Sequence, residues 1–242
     1  MHFIFNKFIL KKFSLMNKNK LIILLFFLIM LLNPKNIFSQ KKISLGIKSG
    51  FSQTGINLQN NFFPVIIETS KLNSYNYSLI SEIMNKKNVG IRIELNMIKK
   101  GYFQNFSSGE KLFSKLNYIN FPFLLHYYFL EKKQNIYINL GPYIEYLLNI
   151  NNQSVPASLN ESDVYFFDDK RDKKFGYGLK FSVGLSTLIK NNRIELDFSY
   201  MYNFSNLITA NYKSDSIPDI SNFNTLSISF VYLFKIIGKN EL

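Results

Sequence analysis

The stretch Phe175-Gly176-Tyr177-Gly178-Leu179-Lys180-Phe181-Ser182-Val183-Gly184-Leu185-Ser186 separates into two sets when read at every second residue. Phe175, Tyr177, Leu179, Phe181, Val183 and Leu185 fall on one face, and Gly176, Gly178, Lys180, Ser182, Gly184 and Ser186 on the other. Side chains of a strand alternate between faces, whereas the helical period would mix these sets, so the segment is a strand. The next segment repeats the code after the tight-turn sequence Lys190-Asn191-Asn192. It sets Ile194, Leu196, Phe198, Tyr200 and Tyr202 against Arg193, Glu195, Asp197 and Ser199.

Counting outward in the same way gives eight strands, at 43–52, 76–84, 89–99, 116–129, 136–148, 175–188, 193–203 and 223–234. The connections alternate: 53–75, 100–115, 149–174 and 204–222 are long, and 85–88, 130–135 and 189–192 are short. Membrane-spanning strands need roughly 9–11 residues at a tilt near 45°, and bacterial barrels have even strand numbers with short periplasmic turns and longer outer loops. The sequence therefore predicts an all-β fold, an eight-stranded antiparallel up-and-down transmembrane β-barrel with short periplasmic turns and long outer loops.

Composition agrees and excludes other classes. The 242 residues contain no Cys and two His, which removes disulfide scaffolds and makes His- or thiolate-built metal sites poor readings. The hydrophobic fraction of 47% and aromatic fraction of 17% demand burial against something apolar. The net charge of +13 invites a nucleic-acid reading, but Lys outnumbers Arg 26 to 3, and six lysines (Lys7, Lys11, Lys12, Lys18, Lys20, Lys35) precede residue 40 where there are no acids. No nucleic-acid partner is expected.

Those early lysines belong to a leader. Lys18 and Lys20 precede Leu21–Leu32, twelve unbroken apolar residues, and Ile37-Phe38-Ser39-Gln40 follows. This is the three-part order of a secretory signal peptide. Twelve helical residues reach only about 18 Å against a hydrocarbon core of roughly 30 Å. Cleavage is expected between Ser39 and Gln40, although Ile37 stands where a small residue is usual. The domain expectation is an N-terminal extension and signal peptide at 1–39 and an outer-membrane barrel at 40–242.

Alternation leaves open whether the apolar face looks into a soluble lipocalin-like cup or out into lipid. Gly46, Gly50, Gly90, Gly141, Gly176, Gly178 and Gly184 share the parity of the charged residues of their strands. On a water-facing wall they would only weaken strands, but a narrow lumen needs small residues opposite long ones. Curvature or bulges are the other use for such glycines. The polar face is placed inside and the Phe, Leu, Ile and Tyr face against outer-membrane lipid. In the fourth strand Pro122 is expected to give a bulge or a gap in pairing. Phe51, Tyr128, Phe129, Phe175, Tyr200, Tyr202 and Tyr232 are candidates for interfacial belts.

On the inward parity lie Lys48, Arg92, Lys180 and Arg193 against Glu94, Glu145, Glu195 and Asp197, with Glu82 as a further candidate. Equal charges in a confined lumen predict a structural ion-pair network. Glu195 and Asp197 as a hydrolase pair, and His126 as a catalytic base, are the weaker readings beside salt-bridge and hydrogen-bonding roles. Asp163, Asp168, Asp169 and Asp172, interspersed with Lys170, Arg171, Lys173 and Lys174, lack a calcium-loop pattern and read as a solvated loop face. No catalytic, metal or cofactor-binding residue is expected, and no cofactor.

The run Leu116-Asn117-Tyr118-Ile119-Asn120-Phe121-Pro122-Phe123-Leu124-Leu125-His126-Tyr127-Tyr128-Phe129, followed by Asn139-Leu140-Gly141-Pro142-Tyr143-Ile144, resembles the PorT-type family of bacterial outer-membrane β-barrels. Members typically show a tyrosine, an acid and a proline before leucines, then a Gly-Pro-aromatic step. Asn120 stands here where the acid is common. The resemblance implies an outer-membrane location and an eight-stranded barrel, and some relatives act in the type IX secretion apparatus. The functional expectation is a non-enzymatic structural or accessory envelope protein with envelope or secretion-complex partners. The alternatives are a membrane-embedded enzyme on lipid or peptide and a soluble carrier of an apolar ligand.

Overall fold

Aromatic, leucine and β-branched residues at alternate positions fit a pleated surface with one apolar face, and eight such segments pair in chain order. A computed structural model describes residues 42–59, 69–85, 88–105, 111–130, 133–152, 172–209 and 219–237. The strands are β1 Lys42–Gln59, β2 Thr69–Met84, β3 Val89–Asn105, β4 Lys111–Tyr128, β5 Gln134–Asn152, β6 Phe175–Ile189, β7 Asn192–Asn203 and β8 Ile220–Ile237. Each is antiparallel to its sequence neighbours, and β1 also pairs with β8, with Lys48 opposite Val231, so the sheet is a closed barrel. Closure leaves no edge strand unpaired, which is the condition for β-structure in hydrocarbon. The expected signal segment, with Ser39 and Gln40, lies outside the described residues.

The strands are longer than their alternation suggests, chiefly at the long-loop end. β1 runs to Gln59 rather than residue 52, β2 begins at Thr69 rather than 76, and β3 continues to Asn105 rather than 99. The cause is an inversion of polarity at constant parity. Below a line through Phe51, Tyr75 and Met97, the outward residues are mostly apolar and exposed, with the polar Ser49 and Ser81 among them. Above it the outward positions become Gln53, Asn73, Lys71, Lys99 and Lys115, while Ile56, Leu58, Leu72, Tyr102 and Leu116 turn inward and are buried. The lower barrel wears its apolar side outside; the upper barrel buries it like a soluble domain.

Pro122 faces inward and interrupts pairing without shifting register. The β3–β4 ladder passes from Ile93↔Phe123 to Asn96↔Asn120, and the β4–β5 ladder from Pro122↔Tyr143 to Leu125↔Leu140. Proline has no N–H to donate, so a gap is the physical outcome. The one bulge of this ladder lies higher, between Asn117 and Tyr118. At the short-turn end, Asn88 and Lys190 adopt φ of 61° and 55°, the left-handed conformation that tight hairpin turns require.

The exposed outer band contains Leu45, Ile47, Leu79, Leu125, Leu140, Phe181, Phe198, Ile228 and Phe230 among others. Of the candidate belt residues, Phe51, Phe129, Phe175, Tyr200 and Tyr202 point outward. Tyr128 does not: it is 3% exposed, because its even position on β4 places it in the lumen beside Tyr137. Phe181→Arg, placed on the outer wall, is expected to destabilise the barrel in lipid vesicles by about 2–4 kcal/mol if it lies near the bilayer midplane, whereas Gln53→Arg, beyond the apolar band, costs about 0–1 kcal/mol. Urea titration in vesicles reads both, and equal small losses would contradict the orientation.

Candidate functional site

The inward positions of the lower barrel build one chain of ion pairs and hydrogen bonds. Nearest the short turns, Arg92 on β3 lies 2.5 Å from Glu82 on β2 and 2.8 Å from Glu195 on β7. Arg193 reaches Glu82 at 2.9 Å, donates to the Tyr128 hydroxyl and sits 4.4 Å from the centre of that ring. Tyr128 in turn donates to Glu195 at 2.7 Å. His126 is fully buried, bonded through Nδ1 to Asn139, with its Nε2 3.8 Å from Glu82 and its ring 4.3 Å from that of Tyr128.

The next layer joins Lys48 to Asp197 at 2.5 Å and to Glu94 at 3.7 Å, while Lys180 pairs with Glu94. Tyr137 donates to Asp197 at 3.0 Å and lies beneath the Arg92 guanidinium, 5.0 Å from its ring centre. Above this, Lys100 contacts Glu145 at 2.6 Å and donates to Asn203 at 2.8 Å, and Asn203 also accepts from Tyr143 at 2.6 Å. The described lumen thus holds five cations (Lys48, Arg92, Lys100, Lys180, Arg193) and five carboxylates (Glu82, Glu94, Glu145, Glu195, Asp197). Unpaired charges in such a space would cost several kcal/mol each, so near-perfect pairing is what permits the fold.

Space for these long side chains comes from glycine on the facing strand. In the β5–β6 ladder Tyr137 stands opposite Gly184, Tyr143 opposite Gly178, Glu145 opposite Gly176, and Lys180 opposite Gly141. A Cβ at Gly178 would stand 2.7 Å from the Tyr143 hydroxyl, and one at Gly184 would collide with the Tyr137 ring. Four large inward groups therefore lie over four bare backbone positions.

Toward the long loops the lumen changes character. Ile56, Leu58, Ile98, Tyr102, Leu116, Tyr118, Tyr143, Leu147, Met201 and Phe223 form an apolar cluster with Leu207 and Ile208. The latter two belong to the segment after β7, which folds back into the mouth. Leu207 N–H donates to the Ser221 carbonyl at 2.8 Å, Ile208 N–H to Ser221 Oγ at 2.8 Å, and Thr209 N–H to Asp172 at 3.1 Å. Asp172, expected on a solvated loop face, is therefore buried, because it satisfies a backbone donor at the rim. Asp163, Asp168, Asp169, Lys170 and Arg171 lie outside the described residues, and Lys173 and Lys174 are exposed.

Each of Lys48, Arg92, Glu94, Glu145, Lys180, Arg193, Glu195 and Asp197 has a partner in this lumen. Glu195 and Asp197 do not act on a common atom: the first is held by Arg92 and Tyr128, the second by Lys48 and Tyr137. Sequence reasoning missed Lys100, Asn203, Tyr137 and Tyr143. Lys100 continues the even-numbered inward set Arg92, Glu94, Asn96 of β3, one residue beyond where the alternation was taken to end.

The family model described as outer membrane protein beta-barrel domain matches residues 38–209. No curated protein sequence matches. Among solved structures, Neisserial surface protein A is similar at 12% identity with a TM-score of 0.46, over 80% of this chain and 97% of that one. Ail of Yersinia pestis is similar at 14% identity and a TM-score of 0.40, covering 80% and 99%. Outer membrane protein W of E. coli is similar at 13% identity and a TM-score of 0.39, covering 80% and 97%.

Two outcomes follow from the lattice. Asp197→Asn removes the charge that faces Lys48 and is expected to cost about 3–5 kcal/mol, with the double change Lys48→Met, Asp197→Leu recovering much of it. Additive losses in denaturant titration would contradict a coupled pair. Gly184→Val is expected to abolish the folded, heat-modifiable species on unheated gels, because a Cβ there meets both the Tyr137 ring and the Leu196 carbonyl; an unchanged folded band would contradict the tight β5–β6 fit.

Proposed function

Since the chain belongs to the outer membrane protein beta-barrel domain family, we propose that it serves as a non-enzymatic, sealed barrel with a structural or accessory role at the cell envelope. It is a protein of the bacterial outer membrane. In this reading the short turns meet the periplasm and the long loops meet the exterior, as in other bacterial barrels. Its partners are outer-membrane lipid along the Phe, Leu and Ile band and envelope proteins at the two ends.

The observation that carries the reading is the filled lumen. Ten ionised groups are spent on one another, and the long-loop end is packed by Leu207, Ile208 and their apolar neighbours. A catalytic acid or base needs a carboxylate or imidazole that can exchange protons with a substrate, and the candidates are buried away from one: Glu195 is held by Arg92 and Tyr128, Asp197 by Lys48 and Tyr137, and His126 is fully enclosed with its Nδ1 on Asn139. The apolar-carrier alternative is disfavoured for a related reason: the lower lumen is ionic, and the apolar layer above it is occupied by the chain's own residues.

The finer form of the proposal is a PorT-type barrel that contributes to protein secretion. Its support is the resemblance carried by β4 and β5, from Leu116 to Phe129 and from Asn139 to Ile144. Crosslinking in intact cells followed by copurification tests that form, and recovery of secretion-apparatus components is expected. The sealed lumen is tested separately by reconstitution into planar bilayers. Only brief, small current fluctuations are expected, and a steady large conductance would sink the sealed-barrel reading.

A further inference from the structure

The outer wall carries a furrow cut by the sequence itself. Ser49 faces outward on β1 and is exposed, and the outward residues around it are large: Ile47 and Phe51 along the strand, Tyr77 opposite it on β2 and Phe230 opposite it on β8. Tyr77 and Phe230 are 58% and 69% exposed, so they stand clear of the wall on either side of a short side chain. The result is a concavity of about 510 Å³, floored by Ser49 and walled by Tyr77, Leu79, Leu95, Phe230 and Tyr232.

A second concavity of about 530 Å³ shares Tyr77 and Met97 with the first, so the two form one path. It lies where β2 and β3 lose register between Lys71 and Asn76, and there Ser74 Oγ donates to the Lys99 carbonyl at 2.7 Å. Its walls pass from Tyr75 and Met97 to Lys99 and Asn117, across the line at which outward residues change from apolar to polar. The path therefore begins inside the apolar band and ends beside the exposed Lys99 at the level of the headgroups.

Such a path selects its occupant. Within the band the surrounding medium is acyl chain, and a chain lying in a furrow gains dispersion contacts on its flanks that a chain on a flat wall lacks. At the upper end a lysine keeps its ammonium in the polar zone over an apolar stem and attracts an anionic headgroup. An extended polypeptide in the same place would bring unpaired backbone N–H and C=O groups into hydrocarbon, a cost that a lipid does not carry.

We propose that this path is a binding site for one anionic, phosphate-bearing lipid of the outer leaflet, with an acyl chain over Ser49 between Tyr77 and Phe230 and the phosphate beside Lys99. The site converts general contact with the bilayer into an ordered lipid held on β1, β2 and β3. It rests on the lipid-facing orientation of the apolar band and is independent of whether the lumen is sealed.

The test uses the full chain folded into vesicles of equal phosphatidylglycerol and phosphatidylcholine with identical acyl chains, extracted in neutral detergent, with retained lipid counted by native mass spectrometry. One retained lipid is expected for the wild type, with phosphatidylglycerol favoured about fivefold, the factor that one lysine near a membrane surface supplies. Ser49→Leu fills the furrow with a side chain suited to the wall. It is expected to cut retention of both lipids at least about fivefold, whereas Ser81→Leu, the same change nearer the short turns on β2, leaves retention within about twofold. Lys99→Gln is expected to remove the preference for phosphatidylglycerol, whereas Lys173→Gln, ahead of β6 on the far side of the barrel, leaves it in place. A wild type without retained lipid overturns the proposal, as does equal retention in Ser49→Leu and Ser81→Leu. Equal loss of preference in the two lysine variants marks a diffuse effect of net charge and overturns the phosphate anchor. Heat-modifiability confirms that each variant has folded, and conductance is unaffected by any of these results, so failure here is separate from failure of the sealed-barrel reading.

Discussion

A wall surrounded by acyl chains offers no water to its backbone or its charges, and this deprivation governs the molecule. The backbone answers it by circular pairing, with β1 closing onto β8 over Ile43 to Gln59. The side chains answer it by pairing charge with charge around the axis, so that Lys48, Arg92 and Lys180 each find carboxylates contributed by other strands. Because every one of these pairs except Arg92–Glu82, which spans the β2–β3 hairpin, joins strands that are not neighbours, the lattice cannot be completed until most strands are in place. It is therefore a device for specifying the closed state as much as for stabilising it.

Geometry then decides which residues share the axis. An eight-stranded barrel is just wide enough for side chains to fill. The β5–β6 ladder solves the crowding by alternating bulk and bareness, placing Tyr137, Tyr143, Glu145 and Lys180 over glycines. The phenol groups then serve as donors that complete the coordination of Asp197 and Asn203. The glycines, the tyrosines and the acids are thus one arrangement.

Much of the lower barrel was legible because a single strand states its rule twice, as in Phe175–Ser186, where apolar and small or charged residues never exchange parity. The upper barrel was not legible by the same rule. A search for outward apolar residues stops at Phe51 and Met97, since the following outward residues are Gln53 and Lys99, although pairing continues through Gln59 and Asn105. Lys100 lies one residue past the expected end of β3, and Tyr128 is a belt candidate by its place near a strand end although its parity with His126 points inward. The burial of Asp172 depends on Thr209, thirty-seven residues away, and no local pattern encodes that contact.

The inversion of polarity along β1, β2 and β3 has a consequence for reach. From Tyr75 to the start of β2 at Thr69 the sheet rises six residues past the greasy belt, about 15 Å at ordinary strand rise and tilt. The polar headgroup zone of one leaflet is only about 5–8 Å deep. The upper strands therefore form a pedestal with its own dry centre, and the strand ends at Gln59 and Thr69 stand beyond the headgroups rather than among them.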